Sequence, residues 1–187
     1  MKPPRVEATE TQTFDDEQAR ALLRAAEGDR LAALYHVALT SGAREGELLA
    51  LRWSDLTGNS MQIARTLVRT RDGLEVSEPK TASGRRAIPL GPKAIDALRT
   101  HRVTQAMERE RNGLPKATET DLVFASEAGT LIDPSNLLAN SYYPLLSRAG
   151  LPRLTFHALR HTAATLMLGA GTHIRVVAER LGHADPP

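Results

Sequence analysis

Four short segments carry side chains that could act on a phosphate. In Thr155-Phe156-His157-Ala158-Leu159-Arg160-His161-Thr162, the histidine and arginine are three positions apart. A helix puts such a pair on one face, one turn apart. The guanidinium can then hold a phosphate oxygen while the imidazole moves a proton. A capped helix with an unrelated His and Arg gives the same string. His157 and His161 also have the i,i+4 spacing of a zinc-binding HExxH helix. Ala158 stands where that motif has its glutamate, however, and Arg160 would repel a cation, so no metal is expected.

In Thr40-Ser41-Gly42-Ala43-Arg44-Glu45-Gly46-Glu47-Leu48, a glycine-closed loop delivers Arg44 to the start of a helix. Free backbone N–H groups and the positive end of the helix dipole favour an anion there. Glu47, one turn on, can brace the guanidinium. An ordinary i,i+3 surface ion pair is the competing reading. Lys80, in Glu78-Pro79-Lys80-Thr81-Ala82-Ser83-Gly84-Arg85-Arg86, lies at the mouth of a turn. A mobile lysine there can protonate a leaving alkoxide, although most loop lysines are solvated charges. In Leu181-Gly182-His183-Ala184-Asp185, glycine permits a sharp exit from a helix and His183 projects at its end, as a cap or a donor.

The elements that must position these groups follow from the pattern around them. Thr13, followed by Asp15, Asp16 and Glu17, reads as a helix start, with Ala19, Leu22, Leu23 and Ala26 as its apolar face and Gly28 as its stop. A more buried helix is expected from about Arg30 to Thr40, and a third from Arg44 to near Trp53. Met61 to Val68 is rich in β-formers, Asp72-Gly73 is a hairpin turn, and Leu74 to Val76 and Arg86 to Leu90 supply further strands. Together they predict one antiparallel sheet of about three strands. Gly91-Pro92 opens a long polar helix to about Arg111, a short strand covers Leu122 to Phe124, and Pro134 to Arg148 reads as helical. Thr155 and Thr172 are expected to cap the last two helices, which end near Leu168 and at Gly182. The fold class is thus mainly α with a small three-stranded antiparallel sheet (α+β).

Composition narrows the function. The chain has 187 residues, 41% hydrophobic and 25% charged, enough for one well-packed domain or at most two small ones. Residues 1–12 read as a polar, Pro-containing linker and 13–187 as the domain. There are no cysteines, so disulfides and thiolate metal sites are excluded. No apolar run approaches the roughly 20 residues that cross a bilayer, and neither a Walker A motif nor GxGxxG is present. Net charge is only +2, yet from Ser60 to Arg111 there are 11 Lys/Arg against 6 Asp/Glu, while from Thr13 to Asn59 the balance is 5 against 8. The basic stretch suits a polyanion or a solvated mixed-charge surface equally well.

Order and spacing add what the pieces lack singly. TSGAREGELLALRW (40–53), PKTASGRRAIPL (79–90), FHALRHTAAT (156–165) and ERLGHAD (179–185) form a succession that resembles the phage-integrase tyrosine recombinases, from about Phe14 onward. The resemblance implies the catalytic-domain fold of that family. Arg44 and Arg160 would be the two phosphate-clamping arginines. His157 would be a general base or acid, Lys80 the donor to the leaving 5′ oxygen, and His183 a donor to a non-bridging oxygen. Glu47 would brace the first arginine. It also implies a 3′-phosphotyrosyl intermediate, with no metal and no ATP, and attachment-site DNA as substrate. The partners would be other protomers in a tetramer and DNA-bending accessory proteins, in a bacterial cytoplasm or nucleoid. Arg65, Arg69, Arg71, Arg85 and Arg86, on or beside the sheet, are candidates for contacts to the DNA backbone.

In that family the nucleophilic tyrosine lies roughly three helical turns beyond the LGH motif, whereas this chain ends at Pro187. Tyr35, Tyr142 and Tyr143 lie upstream and read as core or groove residues. The expectation is therefore a catalytic domain cut before its nucleophile: unable to cleave DNA alone, weak in binding, and monomeric. Two rivals share parts of the pattern. A type IB topoisomerase uses a similar cage, and a non-enzymatic helical DNA-binding module would leave the five basic residues scattered in space.

Overall fold

The computed structural model describes residues 12–78 and 84–182. Helix α1 (Asp16–Ala25) begins with a capping box. The Asp15 carboxylate accepts from Gln18 N–H at 2.8 Å, and Gln18 returns the bond to Asp15 N–H at 3.1 Å. Thr13 is not the cap, because the carboxylate with a Gln three residues on satisfies two orphan donors at once. Helix α2 (Ala32–Ser41) runs through the centre, with Leu34, Tyr35 and Val37 fully buried. It packs against α4 (Pro92–Arg111) on one side and α7 (His157–Gly169) on the other. Helix α3 (Glu45–Leu49) is shorter than expected, and Trp53–Asp55 forms a separate 3-10 turn.

The strands divide differently from the expectation. Leu56–Thr57 (β1), Ser60–Ile63 (β2) and Arg86–Pro89 (β5) make a three-stranded antiparallel sheet, ordered β1-β2-β5. Thr66–Arg69 (β3) and Leu74–Ser77 (β4) form a separate hairpin around the anticipated turn. The run 61–68 is thus two strands, interrupted at residues 64 and 65. Along β2 and β5, Met61, Ile63 and Ile88 point into the core with a period of two. Leu122 to Phe124 is not a strand. Only Leu122 bridges, to Arg52, because the partner chain curls into the 3-10 turn and offers no ladder to extend.

The region 134–148 is helical but not uniform. Helix α5 (Pro134–Leu137) widens into a π-helical turn (Leu138–Tyr142) before α6 (Tyr143–Arg148). Pro144 sits there, lacking a donor and crowding the carbonyl four residues earlier, which accounts for the widened turn. Helix α7 starts without a side-chain cap. It is the Thr155 carbonyl, not its hydroxyl, that accepts from Ala158 N–H, at 2.9 Å. Helix α8 (Ile174–Leu181) is capped by the His173 ring rather than by Thr172, and Gly182 ends it. An aromatic cluster joins these layers: Tyr35 against Tyr142 at 6.1 Å between ring centroids, and Tyr142 edge-on to Phe156 at 5.2 Å.

Candidate active site

Helix α2 stops at Gly42 in the left-handed conformation, φ 65°. A side chain at that position would meet Leu181 of α8 at 2.7 Å and Ala163 of α7 at 3.4 Å. The bare glycine therefore lets the 41–43 loop lie directly on both helices. The buried Ser41 hydroxyl fixes the loop's shape, donating to the Val37 carbonyl at 2.6 Å and accepting from Ala43 N–H at 3.1 Å. Arg44 follows at once, as the N-cap of α3.

Arg160, on α7, is 5% exposed. Its Nη1 donates to the Gly42 carbonyl at 2.7 Å and its Nη2 to the Leu181 carbonyl at 2.6 Å. One guanidinium thus ties the Arg44 loop to the carboxyl end of α8. Burial, and then the nearby Arg44 charge, push its pKa down to about 10, so it stays protonated at neutral pH. Glu47 is 5% exposed and accepts four hydrogen bonds. Two come from Arg44, through backbone N–H at 2.8 Å and Nη1 at 2.9 Å; two come from Arg86, through Nη1 at 3.0 Å and Nη2 at 2.8 Å. Burial would raise this carboxyl, but the bonds from Arg86 and Arg44 hold it below the usual carboxylate range.

His157 opens α7 one turn before Arg160, exposed to solvent, its ring edge-on to His161 at 4.7 Å. The partial desolvation of the ring on its protein side, followed by the charges of His161, Arg160 and Arg44, lowers its pKa. The imidazole is therefore biased toward its neutral, proton-accepting form. Arg44, His157 and Arg160 come from segments more than a hundred residues apart and are close enough to feel one another's charge. Arg44 keeps 46% of its side chain exposed, above the buried Arg160. The arrangement can hold an anion at the surface without a counter-ion of its own. Lys80 and His183 lie outside the described residues.

The expected DNA-contacting arginines separate into two kinds. Arg71 is exposed, Arg69 pairs with Asp133 at 2.6 Å while staying largely exposed, and Arg85 pairs with Glu78. Arg65 is more enclosed, against Asp55 at 2.5 Å. Arg86 is different: its side chain is 7% exposed and turned inward to Glu47 and the Arg180 carbonyl. Three of its five N–H groups are thus committed to protein acceptors, and the side chain is turned toward α3 and α8 rather than outward to a DNA backbone. The missed signal was the strand period, which puts Arg86 on the same face as the buried Ile88. Two of the three tyrosines lie in the core, and Tyr143 is half-buried. Tyr35 and Tyr142 are fully buried, with hydroxyls bonded to Ser141 and to the Thr155 carbonyl, and the Tyr143 ring lies under the Arg153 guanidinium.

Solved structures define the class first. The XerA recombinase superposes with a TM-score of 0.73 at 25% identity, covering 98% of this chain and 59% of that one. The Tn1549 transposon integrase, solved with circular intermediate DNA, gives 0.78 at 22%, covering 96% and 61%. The fold is therefore that of a tyrosine recombinase catalytic domain. The description "Phage integrase family" matches residues 12–186, and the chain belongs to that family. A XerC-like tyrosine recombinase of Caldanaerobacter subterraneus subsp. tengcongensis is 35% identical over 95% of this chain and 48% of its own length. A putative prophage phiRv2 integrase of Mycobacterium tuberculosis is 32% identical over 75% of this chain and 36% of its own length. The chain spans about half the length, or less, of such curated relatives. Among the described residues, no helix is long and apolar enough to cross a membrane.

Proposed function

We propose that this domain grips the scissile phosphodiester of a DNA recombination site and stabilises its transition state during strand exchange. The 2.7 Å bond from Arg160 to the Gly42 carbonyl carries the reading, because it unites the Arg44 loop with the His157–Arg160 face. A tyrosine hydroxyl attacks phosphorus, the P–O5′ bond breaks, and a 3′-phosphotyrosyl link retains the bond energy. Negative charge grows on the non-bridging oxygens, where Arg44 and Arg160 supply fixed donors. His157, biased toward neutrality, takes the tyrosine proton. Lys80 would protonate the leaving 5′ oxygen, and His183 would add a donor to the phosphate. Neither metal nor ATP is required in this scheme.

None of Tyr35, Tyr142 and Tyr143 is assigned as the attacking group: the hydroxyls of Tyr35 and Tyr142 are committed inside the core, and the Tyr143 ring is covered by the Arg153 guanidinium. The substrate is double-stranded attachment-site DNA in the bacterial cytoplasm, at the nucleoid. Two paired sites are held by a tetramer of the whole protein, with DNA-bending accessory proteins as further partners, and the 187-residue chain alone is a weakly binding monomer. In the whole protein, Arg44→Ala or Arg160→Ala should lower recombination between two such sites by about 10²–10³-fold, as loss of a transition-state donor does. Recombination at the wild-type rate in either variant would refute the pocket. A covalent DNA adduct mapped to Tyr35, Tyr142 or Tyr143 would refute the assignment of the nucleophile.

A further inference from the structure

We infer that Arg86 is a positioning residue for the phosphate pocket: through Glu47 it leaves the Arg44 charge available to the ligand, and through the Arg180 carbonyl it locks the end of α8 beside that pocket. The inference rests on the proposed phosphate-binding role of Arg44 and Arg160.

The geometry uses all three guanidinium nitrogens. Two terminal N–H groups meet the two Glu47 oxygens at 3.0 and 2.8 Å, and Nε donates to the Arg180 carbonyl at 2.6 Å. A lysine ammonium, a point charge on a flexible stem, cannot reproduce a planar bidentate grip with a third bond held at a fixed angle. Arg86 stands on β5, Glu47 on α3 and Arg180 on α8, so one side chain joins three elements that nothing in the local sequence would hold in register.

Charge explains why the grip matters. Glu47 alone beside Arg44 would cancel the cation that the pocket presents. With Arg86 buried against the same carboxylate, Glu47 is already neutralised from within, and the half-exposed Arg44 keeps its attraction for a phosphate. Four donors also saturate the roughly four lone-pair positions of a carboxylate. Glu47 therefore cannot swing to follow Arg44, and Arg44 is held by its backbone and one terminal nitrogen while its side chain stays half-exposed.

The test measures inorganic phosphate binding to the full 187-residue chain, read from the His157 imidazole NMR shift, together with the titration of the Glu47 carboxyl. Folding of each variant is checked by near-ultraviolet circular dichroism. Arg86→Gln should weaken phosphate binding about tenfold and raise the Glu47 pKa, now left to Arg44 alone. Arg86→Lys should restore the Glu47 titration toward wild type but recover affinity only to about threefold below it. A folded Arg86→Gln with wild-type affinity and wild-type Glu47 titration overturns the inference. If the Gln variant does not fold, Arg86→Lys decides, and an unchanged dissociation constant overturns it. Arg44→Ala is the control. If it loses phosphate binding while both Arg86 variants keep it, the inference alone fails; if it keeps phosphate binding, the pocket reading fails as well.

Discussion

Replacing Gly42 by alanine isolates the contact on which the pocket is built. Its φ of 65° lies in the left-handed region, where an L side chain costs roughly 1–2 kcal/mol. The new Cβ would also stand 2.7 Å from Leu181 Cδ2 and 3.4 Å from Ala163 Cβ. Leu181 can shift its tip, so the overpacking adds about 1–2 kcal/mol, toward the low end for cores. The sum is about 2–4 kcal/mol, which a domain of ordinary stability survives. Gly28→Ala is the comparator: its φ is 77° and nothing lies within 4 Å of the added carbon, so only the backbone term of about 1–2 kcal/mol remains. Equilibrium urea unfolding of both variants gives the difference directly. In a cycle with Leu181→Ala, the Gly42→Ala cost should fall by the overpacking term, since the clashing atom is gone. Equal destabilisation at Gly42 and Gly28, with no coupling to Leu181, would refute the claim that close approach, rather than backbone conformation alone, selects glycine beside the pocket.

Other consequences are as direct. Among the described residues the buried Glu45 Oε1 has no hydrogen-bond partner, and burial raises this carboxyl from 4.5 to about 6. A raised acid favours the folded state when protonated, so its contribution is fullest below pH 4.5 and is lost as pH passes 6. Glu45→Gln should therefore be more stable than wild type at pH 8 by about 1 kcal/mol after allowance for solvent screening, with the gap closing by pH 4.5 in urea titrations. Gln105 accepts from the Trp53 indole at 2.9 Å and donates to the Leu122 and Val123 carbonyls. Gln105→Met strands the indole N–H and the Leu122 carbonyl, and should cost about 2–4 kcal/mol in the same assay. Neutralising the exposed Arg69 and Arg71 together should reduce the salt slope of binding to a mixed-sequence duplex by about 2, measured by fluorescence anisotropy between 50 and 200 mM salt; an unchanged slope would remove the hairpin from the DNA interface.

The parts of the fold legible in the sequence are those governed by nearest neighbours. Gly91-Pro92 marks the start of α4 and Arg111 its end, and Gly42 and Gly182 mark the ends of α2 and α8, because cap and stop residues act within one turn. Partner choice is not local. The β-rich run 61–68 carries no sign that β2 pairs with β5 while β3 turns back on β4, since that depends on which faces find a core. Thr155 and Thr172 have the right chemistry for caps, yet the chain turns one residue later than they require. Arg44, Glu47, His157 and Arg160 each sit in a short motif, which is why the sequence can single them out. The inward role of Arg86 is not legible locally, because its partners, Glu47 and the Arg180 carbonyl, are 39 and 94 residues away.

The inward turn of Arg86 leaves three guanidiniums side by side. Arg44, Arg86 and Arg160 crowd one carboxylate, leaving an excess of positive charge in a partly buried place, which is unfavourable without compensation. The compensation is α8. Its last carbonyls, those of Arg180 and Leu181, have no partner within the helix and form the negative end of its dipole. Arg86 and Arg160 each donate to one of them. The two buried cations are thus balanced by Glu47 and a helix end, groups that cannot leave, while the half-exposed Arg44 has its excess charge open to solvent. An arriving phosphodiester therefore meets a cation whose supporting neighbours are already satisfied, and little reorganisation is required before charge builds on its oxygens.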